Sequence, residues 1–306
     1  MVVIKVKFAI CADLHCDYIH DSFSRFDAFI KEAKQNEVDF CVQLGDFCPP
    51  GNSNAKQKNQ ILTAINKSDI PFYHSLGNHD MDKNLKTAVL AHYGIESSYY
   101  SFDIGNFHFI ALDSCNCVLG GKTEDYNLGN YKQADSKYIA VLSEKELDWL
   151  KTDLENAKYP SVLFSHHSLT ESRASIGNVD EFRRAIKHAK NGVIAAFCGH
   201  EHVDRAEFKD GIWYCCINSM SYYWAGSKYE HETYGEKIEK DNPLVRKVFP
   251  YRDPLFATVE IDDKAITITG RNSEFVGSSP NELEFTKPGL CDPIVPRIEN
   301  KTLILE

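Results

Sequence analysis

Short apolar runs alternate along this chain with stretches whose apolar residues recur at helical spacing, and polar clusters follow the runs. Val2 to Cys11 is β-branched and apolar, which predicts a buried strand ending in Asp13-Leu14-His15. Phe23, Phe26, Ile30 and Ala33 recur at helical spacing, with Asp21 or Ser22 as N-cap. Asp39 to Leu44 is the next predicted strand, ending in Gly45-Asp46. Pro49-Pro50-Gly51-Asn52 marks a loop, and a helix is expected over Ala55 to Asn66. A strand from Pro71 runs into Gly77-Asn78-His79-Asp80. A helix from Lys83 to Tyr93 ends at Gly94, a C-cap residue.

The pattern then changes to period two. Tyr100, Phe102 and Ile104 alternate with polar residues, as do Phe107, Phe109 and Ala111, and Gly105-Asn106 between them is a hairpin signal. Asp113 to Tyr138 reads as a long irregular segment. Ser143-Glu144-Lys145-Glu146 is a capping box for a helix carrying Leu147, Leu150 and Leu154. Val162-Leu163-Phe164 is a strand ending in Ser165-His166-His167. A helix follows over Asp180 to Ala189, and Val193 to Cys198 is a strand ending in Gly199-His200-Glu201-His202. Hairpins are expected at Asp210-Gly211 and Asp262-Asp263, with an aromatic, irregular stretch over Ser219 to Tyr251 between them. The organisation expected is a main domain over residues 1–270 and a C-terminal extension over 271–306 packed on it. The class is α/β, with an antiparallel (α+β) component.

Charge and cysteines narrow the setting. A net charge of −10 speaks against a large surface for a nucleic-acid polymer or an anionic membrane. The ten cysteines include no Cys-x-x-Cys pair, and Cys11, Cys41, Cys198, Cys215 and Cys216 lie in apolar runs, which favours buried thiols in a reducing compartment over a disulfide framework. The N-terminus lacks a signal-peptide pattern, and no stretch reaches transmembrane length. A cytoplasmic protein is therefore expected. Oligomeric state is not readable.

The chemistry lies in five motifs, each at the end of a predicted strand: Asp13-x-His15, Gly45-Asp46, Gly77-Asn78-His79-Asp80, His166 and Gly199-His200-x-His202. Taken singly, each is an ordinary cap or turn. Together they supply a mix of carboxylate, amide and imidazole suited to Mn, Fe, Zn or Co, too many ligands for one ion and about enough for two. Two such ions activate a bridging water and hold both ends of an in-line displacement at phosphorus.

With this motif set, in this order over residues 13 to 202, the chain resembles the calcineurin-like metallophosphoesterase superfamily. The resemblance is closest to small bacterial members related to class III cyclic-nucleotide phosphodiesterases. It implies a four-layer αββα sandwich and two divalent or trivalent metal ions (Mn, Fe or Zn). It implies Asp13, His15 and His202 on the first metal, Asp46 bridging, and Asn78, His166 and His200 on the second. It further implies that His79 faces the substrate phosphate, with Asp80 behind it to orient the ring. The function implied is hydrolysis of a phosphodiester or small nucleotide-type ester by a metal-bridging hydroxide. A phosphomonoesterase and a catalytically silent metal-binding scaffold are the alternatives. Two departures stand out: Phe47-Cys48-Pro49 replaces the Tyr ligand of purple acid phosphatases, and Ser168 stands where many relatives have Pro. Asn78 and His79 are also expected to touch substrate, and His167 is either a contact to substrate or to a metal ligand, or a structural residue. Asp113 either orients a metal-bound His or caps a turn. Tyr222 to Trp224 either pack the rim or grip the leaving group, and Arg173, Arg183 and Arg184 either meet phosphate or are solvated charges.

Overall fold

The computed structural model describes residues 5–51, 53–289 and 291–305; the start of the strand expected from Val2 and the loop residue Asn52 lie outside them. The chain begins β1 (Val6–Cys11), α1 (Ser22–Gln35), β2 (Phe40–Gln43), α2 (Ala55–Asn66), β3 (Phe72–His74) and α3 (Lys86–Tyr93). A hairpin of β4 (Tyr100–Ile104) and β5 (Phe107–Ala111) and a ribbon of β6 (Asn116–Leu119) and β7 (Lys122–Asp125) follow. Next come α4 (Glu144–Asn156), β8 (Ser161–Phe164), α5 (Val179–Ile186), β9 (Val193–Cys198), β10 (Arg205–Lys209) and β11 (Ile212–Cys216). The chain closes with β12 (Tyr222–Trp224), α6 (Glu236–Asp241), β13 (Val248–Pro250), β14 (Ala257–Ile261), β15 (Ala265–Thr269) and β16 (Lys301–Ile304).

Two mixed six-stranded sheets result, ordered β16-β15-β14-β1-β2-β3 and β10-β11-β9-β8-β5-β4. Alternation along β1 explains the layering. Phe8 and Ile10 point into the core shared with Phe109, Phe164 and Phe197 of the second sheet. Ala9 and Cys11 point the other way, onto Phe26, Phe29 and Ile61 of α1 and α2. On the outer face of the second sheet, Ile110, Leu163 and Ala196 meet Leu150, Leu154 and Phe182 of α4 and α5. The architecture is the αββα sandwich of two helical and two sheet layers. Stacked Phe8–Phe40 rings, 4.9 Å apart, meet the Phe164 ring edge-on at 5.7 Å, so aromatic contacts join the two sheets.

Three segments differ from the pattern-based expectation. The stretch expected to be irregular after Asp113 contains the β6–β7 ribbon, whose second strand is exposed throughout and so leaves no apolar alternation to read. The aromatic stretch after Ser219 contains the β12–β13 pair, too short to register as a period. The third helix starts at Lys86 rather than Lys83, because Leu85 is extended and bridges to Asn127, whose Oδ1 accepts the Lys86 N–H (2.8 Å). Within 271–305, β16 pairs antiparallel with β15 as an edge strand, and Phe275 and Phe285 meet Phe249 at 6.1 and 5.3 Å. Nine of the ten cysteines are buried and free, Cys291 being the exposed one. Among the described residues, no helix is long and apolar enough to cross a membrane.

Candidate metal centre

Five loops converge where parallel strands end: those after β1, β2 and β3 in one sheet and after β8 and β9 in the other. Backbone hydrogen bonds tie them together. The Asp13 N–H donates to the Gly45 carbonyl (3.1 Å), His15 to Asp46 (2.9 Å) and Gly199 to His166 (3.1 Å). The loops approach so closely that side chains are excluded at two glycines. A Cβ on Gly77 would lie 2.1 Å from the Asp46 nitrogen, and one on Gly199 would lie 2.6 Å from Asp13 Oδ2. The glycines of the motifs are thus a steric requirement of the site.

Asp13, His15, Asp46, Asn78, His166, His200 and His202 come together, nearly all buried. His202 Nε2 lies 3.2 Å from Asp13 Oδ1 and 3.2 Å from His15 Nε2. His166 Nε2 lies 3.1 Å from Asn78 Oδ1, 3.1 Å from His200 Nδ1 and 3.3 Å from Asp46 Oδ2. Asp46 Oδ2 also stands 3.9 Å from His15 Nε2, between the two sets. Asp13–His15–His202 and Asp13–Asp46–His166 can each surround an ion, and His167 can join His166 and His200 in a third such group.

The donor set fits a cation. His202 Nδ1 donates to the Tyr222 carbonyl (2.7 Å) and His166 Nδ1 to the Leu44 carbonyl (2.8 Å), so in each neutral ring the Nε2 lone pair faces the cluster. Asp13 and Asp46 are buried carboxylates, and among the described residues neither has a Lys or Arg partner. Buried charges are paired or bind metal. Burial holds the His15 imidazole down at about 3 and keeps it neutral. Burial also acts against protonation of His166, but the Asp46 carboxylate outweighs it and raises the ring to about 9. In the metal-free protein a proton on His166 therefore supplies part of the positive charge the carboxylates demand.

One expected role is corrected. Asp80 does not orient His79. Its carboxylate accepts hydrogen bonds from the backbone N–H groups of Gly77 (2.9 Å), Phe47 (3.1 Å) and Asp46 (3.2 Å) and from the Tyr93 hydroxyl (3.0 Å), clamping two loops together. The ring partner is Asp82, whose Oδ2 lies 2.7 Å from His79 Nδ1. The cause is the 3₁₀ turn over Asn78–Met81: side chains three apart eclipse in that geometry, whereas adjacent ones diverge. Burial raises the Asp82 carboxyl, yet His79, Lys132 and Tyr131 together hold it at about 2. Tyr131 was not foreseen either. Its hydroxyl donates to Asp82 Oδ1 (2.7 Å) and stands 3.2 Å from Asn78 Nδ2, so the long loop after Asp113 reaches the site. Spacing of three from His79 was the available signal for Asp82; none pointed to Tyr131.

A cavity of about 360 Å³ opens beside the cluster, lined by His15, Asp46, His79, His200 and His202 on one side and by Tyr18, Tyr222, Tyr223 and Trp224 on another. Tyr222 stacks on His15 at 4.9 Å. Asn78 and His167, both expected to touch substrate, are buried and do not line it; His167 Nδ1 is 2.9 Å from the Ser114 hydroxyl. Asp113 caps a turn through the Cys115 N–H and pairs with Lys86 at 2.7 Å, away from the imidazoles. Arg183 and Arg184 pair with Glu171 and Glu181, whereas Arg173 lines the cavity.

An αββα sandwich with carboxylates and imidazoles gathered at its strand ends defines a metal-binding hydrolase class. The chain belongs to the calcineurin-like phosphoesterase family, whose sequence model matches residues 6–204. A comparison with curated protein sequences found no match. Among solved structures, the chain is similar to a dimetal phosphatase from Danio rerio (TM-score 0.64, 14% identity, covering 90% of this chain and 99% of that one). It is also similar to a Plasmodium protein described as the anchor in the inner membrane complex (TM-score 0.57, 16% identity, 99% and 89%). A purple acid phosphatase from yellow lupin seeds aligns with TM-score 0.52 and 12% identity, over 95% of this chain and 57% of that one. At these identities the likeness is one of fold.

Proposed function

We propose that the protein is a dinuclear metal-dependent phosphoesterase acting on a phosphodiester or small nucleotide-type phosphate ester. The observation that carries this reading is the placement of Asp46 Oδ2 between His166 and His15, as a bridging carboxylate requires, with His79 facing the same cavity. Asp13, His15 and His202 would hold one ion, Asn78, His166 and His200 the other. Bound there, Mn, Fe or Zn would supply charge neutralisation at the phosphoryl oxygens and a water of lowered pKa as nucleophile. The protein's own groups do the rest. His79 Nδ1–H donates to Asp82, which fixes the ring and stabilises its protonated form. His79 Nε2 then carries the proton that the departing alkoxide needs. Burial works against protonation of His79, but the Asp46 charge and the Asp82 hydrogen bond prevail and raise it. The cavity has the size of a small-molecule site, and its aromatic wall offers faces for an organic group. The preference for diesters rests on the class III resemblance, with a phosphomonoesterase as the alternative. The Plasmodium neighbour, described as an anchor, favours a silent scaffold as a second reading; the intact His79–Asp82 pair weighs against it.

The test is turnover of bis(p-nitrophenyl) phosphate and p-nitrophenyl phosphate by protein loaded with Mn, Fe or Zn. The diester should be hydrolysed, and His79→Ala should lose roughly 10²–10⁴-fold in kcat while retaining its metals by elemental analysis. Absence of turnover with every metal would overturn the enzyme reading. Hydrolysis of the monoester alone would reverse the substrate preference.

A further inference from the structure

The cavity beside the cluster has one wall whose charge is already satisfied and one whose charge is not. On the first, the Lys132 ammonium pairs with Asp82 at 2.6 Å. On the second stand Arg173, Lys287 and Tyr223. Among the described residues, Arg173 and Lys287 form no ion pair and no hydrogen bond; the Lys287 ammonium lies 5.2 Å over the Tyr223 ring. The Tyr223 hydroxyl is buried and has no hydrogen-bond partner. The carboxylate nearest in function is Glu201 on the same cavity, but its Oε1 accepts from Arg205 at 2.7 Å, and Arg205 also holds Asp292 at 2.6 Å. Two cations and a buried donor therefore share a wall whose carboxylate, Glu201, is already engaged by Arg205. Burial, together with the like charge of Arg173, outweighs the Glu201 charge and pushes the Lys287 ammonium down to about 8. An anion between the two cations would remove that repulsion and satisfy the hydroxyl, and the planar guanidinium suits a phosphate or carboxylate.

We propose that Arg173, Lys287 and the Tyr223 hydroxyl form a second anion subsite in the cavity, so that the preferred substrate is a phosphate ester carrying another phosphate or carboxylate group away from the scissile bond. The proposal rests on the phosphoesterase reading for which group is cleaved. Tyr18, Tyr222 and Trp224, lining the same space, would cover the organic spacer between the two anions. His79 and the cluster take the ester; Arg173 and Lys287 take the distal group. Residues on separate loops thereby set the length and charge of the substrate.

The test uses non-hydrolysable probes on the metal-loaded protein, read by calorimetry: short alkane-α,ω-bisphosphonates of increasing length, the matching ω-carboxyalkylphosphonates, and n-alkylphosphonates lacking the second anion. At least one dianionic probe should bind about tenfold or more tightly than its singly anionic counterpart. Arg173→Gln and Lys287→Gln should each reduce that ratio about tenfold, and the isosteric Tyr223→Phe should reduce it by less. Gain by the bisphosphonates alone assigns the distal group as phosphate; equal gain by the carboxylates supports recognition of charge in general. No dianionic advantage in the native protein, or an advantage that survives in the Arg173→Gln/Lys287→Gln double variant, would overturn the subsite. Turnover of bis(p-nitrophenyl) phosphate or p-nitrophenyl phosphate by the same preparation separates the two readings. Turnover without a dianion preference removes the subsite alone, and a dianion preference without turnover removes the phosphoesterase reading while supporting the subsite.

Discussion

Asp13, His15, Asp46, His200 and His202 all occupy the left-handed backbone region, with φ between 51° and 65°. A residue other than glycine meets a steric penalty there, which Asp and His tolerate better than most. The strain turns successive side chains toward one point, and the surrounding backbone hydrogen bonds hold it in place. A consequence follows for paired substitutions in metal-free protein. His15→Gly should be more stable than His15→Ala by roughly 1 kcal/mol in urea unfolding, because glycine relieves the strain and only partly loses that gain to its greater unfolded-state freedom. The opposite order would show that the position is unstrained. The residues that gather at the cluster were readable from residue type and position at strand ends. Hydrogen-bond partners were not: sequence adjacency suggested Asp80 for His79, and the turn geometry selected Asp82.

Elements are joined by charged groups that periodicity does not reveal. His108 on β5 places Nδ1 2.6 Å from Asp103 on β4 and Nε2 2.8 Å from Asp153 on α4, tying hairpin to helix. Burial acts against the protonated ring, but the hydrogen bonds to Asp153 and Asp103 prevail and raise its pKa above the ordinary value. A raised histidine pKa contributes stability that is complete below the unfolded value near 6.5 and fades as pH rises through the folded one. His108→Gln should therefore lower the thermal midpoint more at pH 6 than at pH 9, by scanning calorimetry; an equal deficit at both would refute the charged link. Arg25 on α1 acts similarly at longer range. Its guanidinium is buried and donates to the Tyr251 carbonyl at 2.7 Å, fastening the stretch that carries Tyr222 and Trp224. The strongly periodic elements, such as α1 and the β4–β5 hairpin, were legible in advance. The β6–β7 ribbon was not, since its pairing is made by backbone groups and leaves no side-chain pattern.

At the scale of the molecule, two sheets bring their strand ends to one edge, and the cluster draws on both. Metal bound there links β1, β2 and β3 to β8 and β9, so it should stabilise the folded state as a whole. Protein with free Mn at about a hundred times its Kd should gain roughly 2.7 kcal/mol over chelated protein. For a chain of this size that amounts to a midpoint shift on the order of 5 °C in scanning calorimetry. An unchanged midpoint would count against a metal centre spanning the two sheets. The chain by itself determined the alternation of strands and helices, the buried runs, and the Asp, Asn and His residues at strand ends, because local backbone preference and residue chemistry are written position by position. Tertiary structure decided what depends on distant segments meeting. The Tyr131 loop reaches Asn78 and Asp82 across some fifty positions, and the wall of Arg173, Tyr223 and Lys287 is assembled from strand β12 and two separate loops. Such contacts are set by how the layers pack, and no spacing along the chain encodes them.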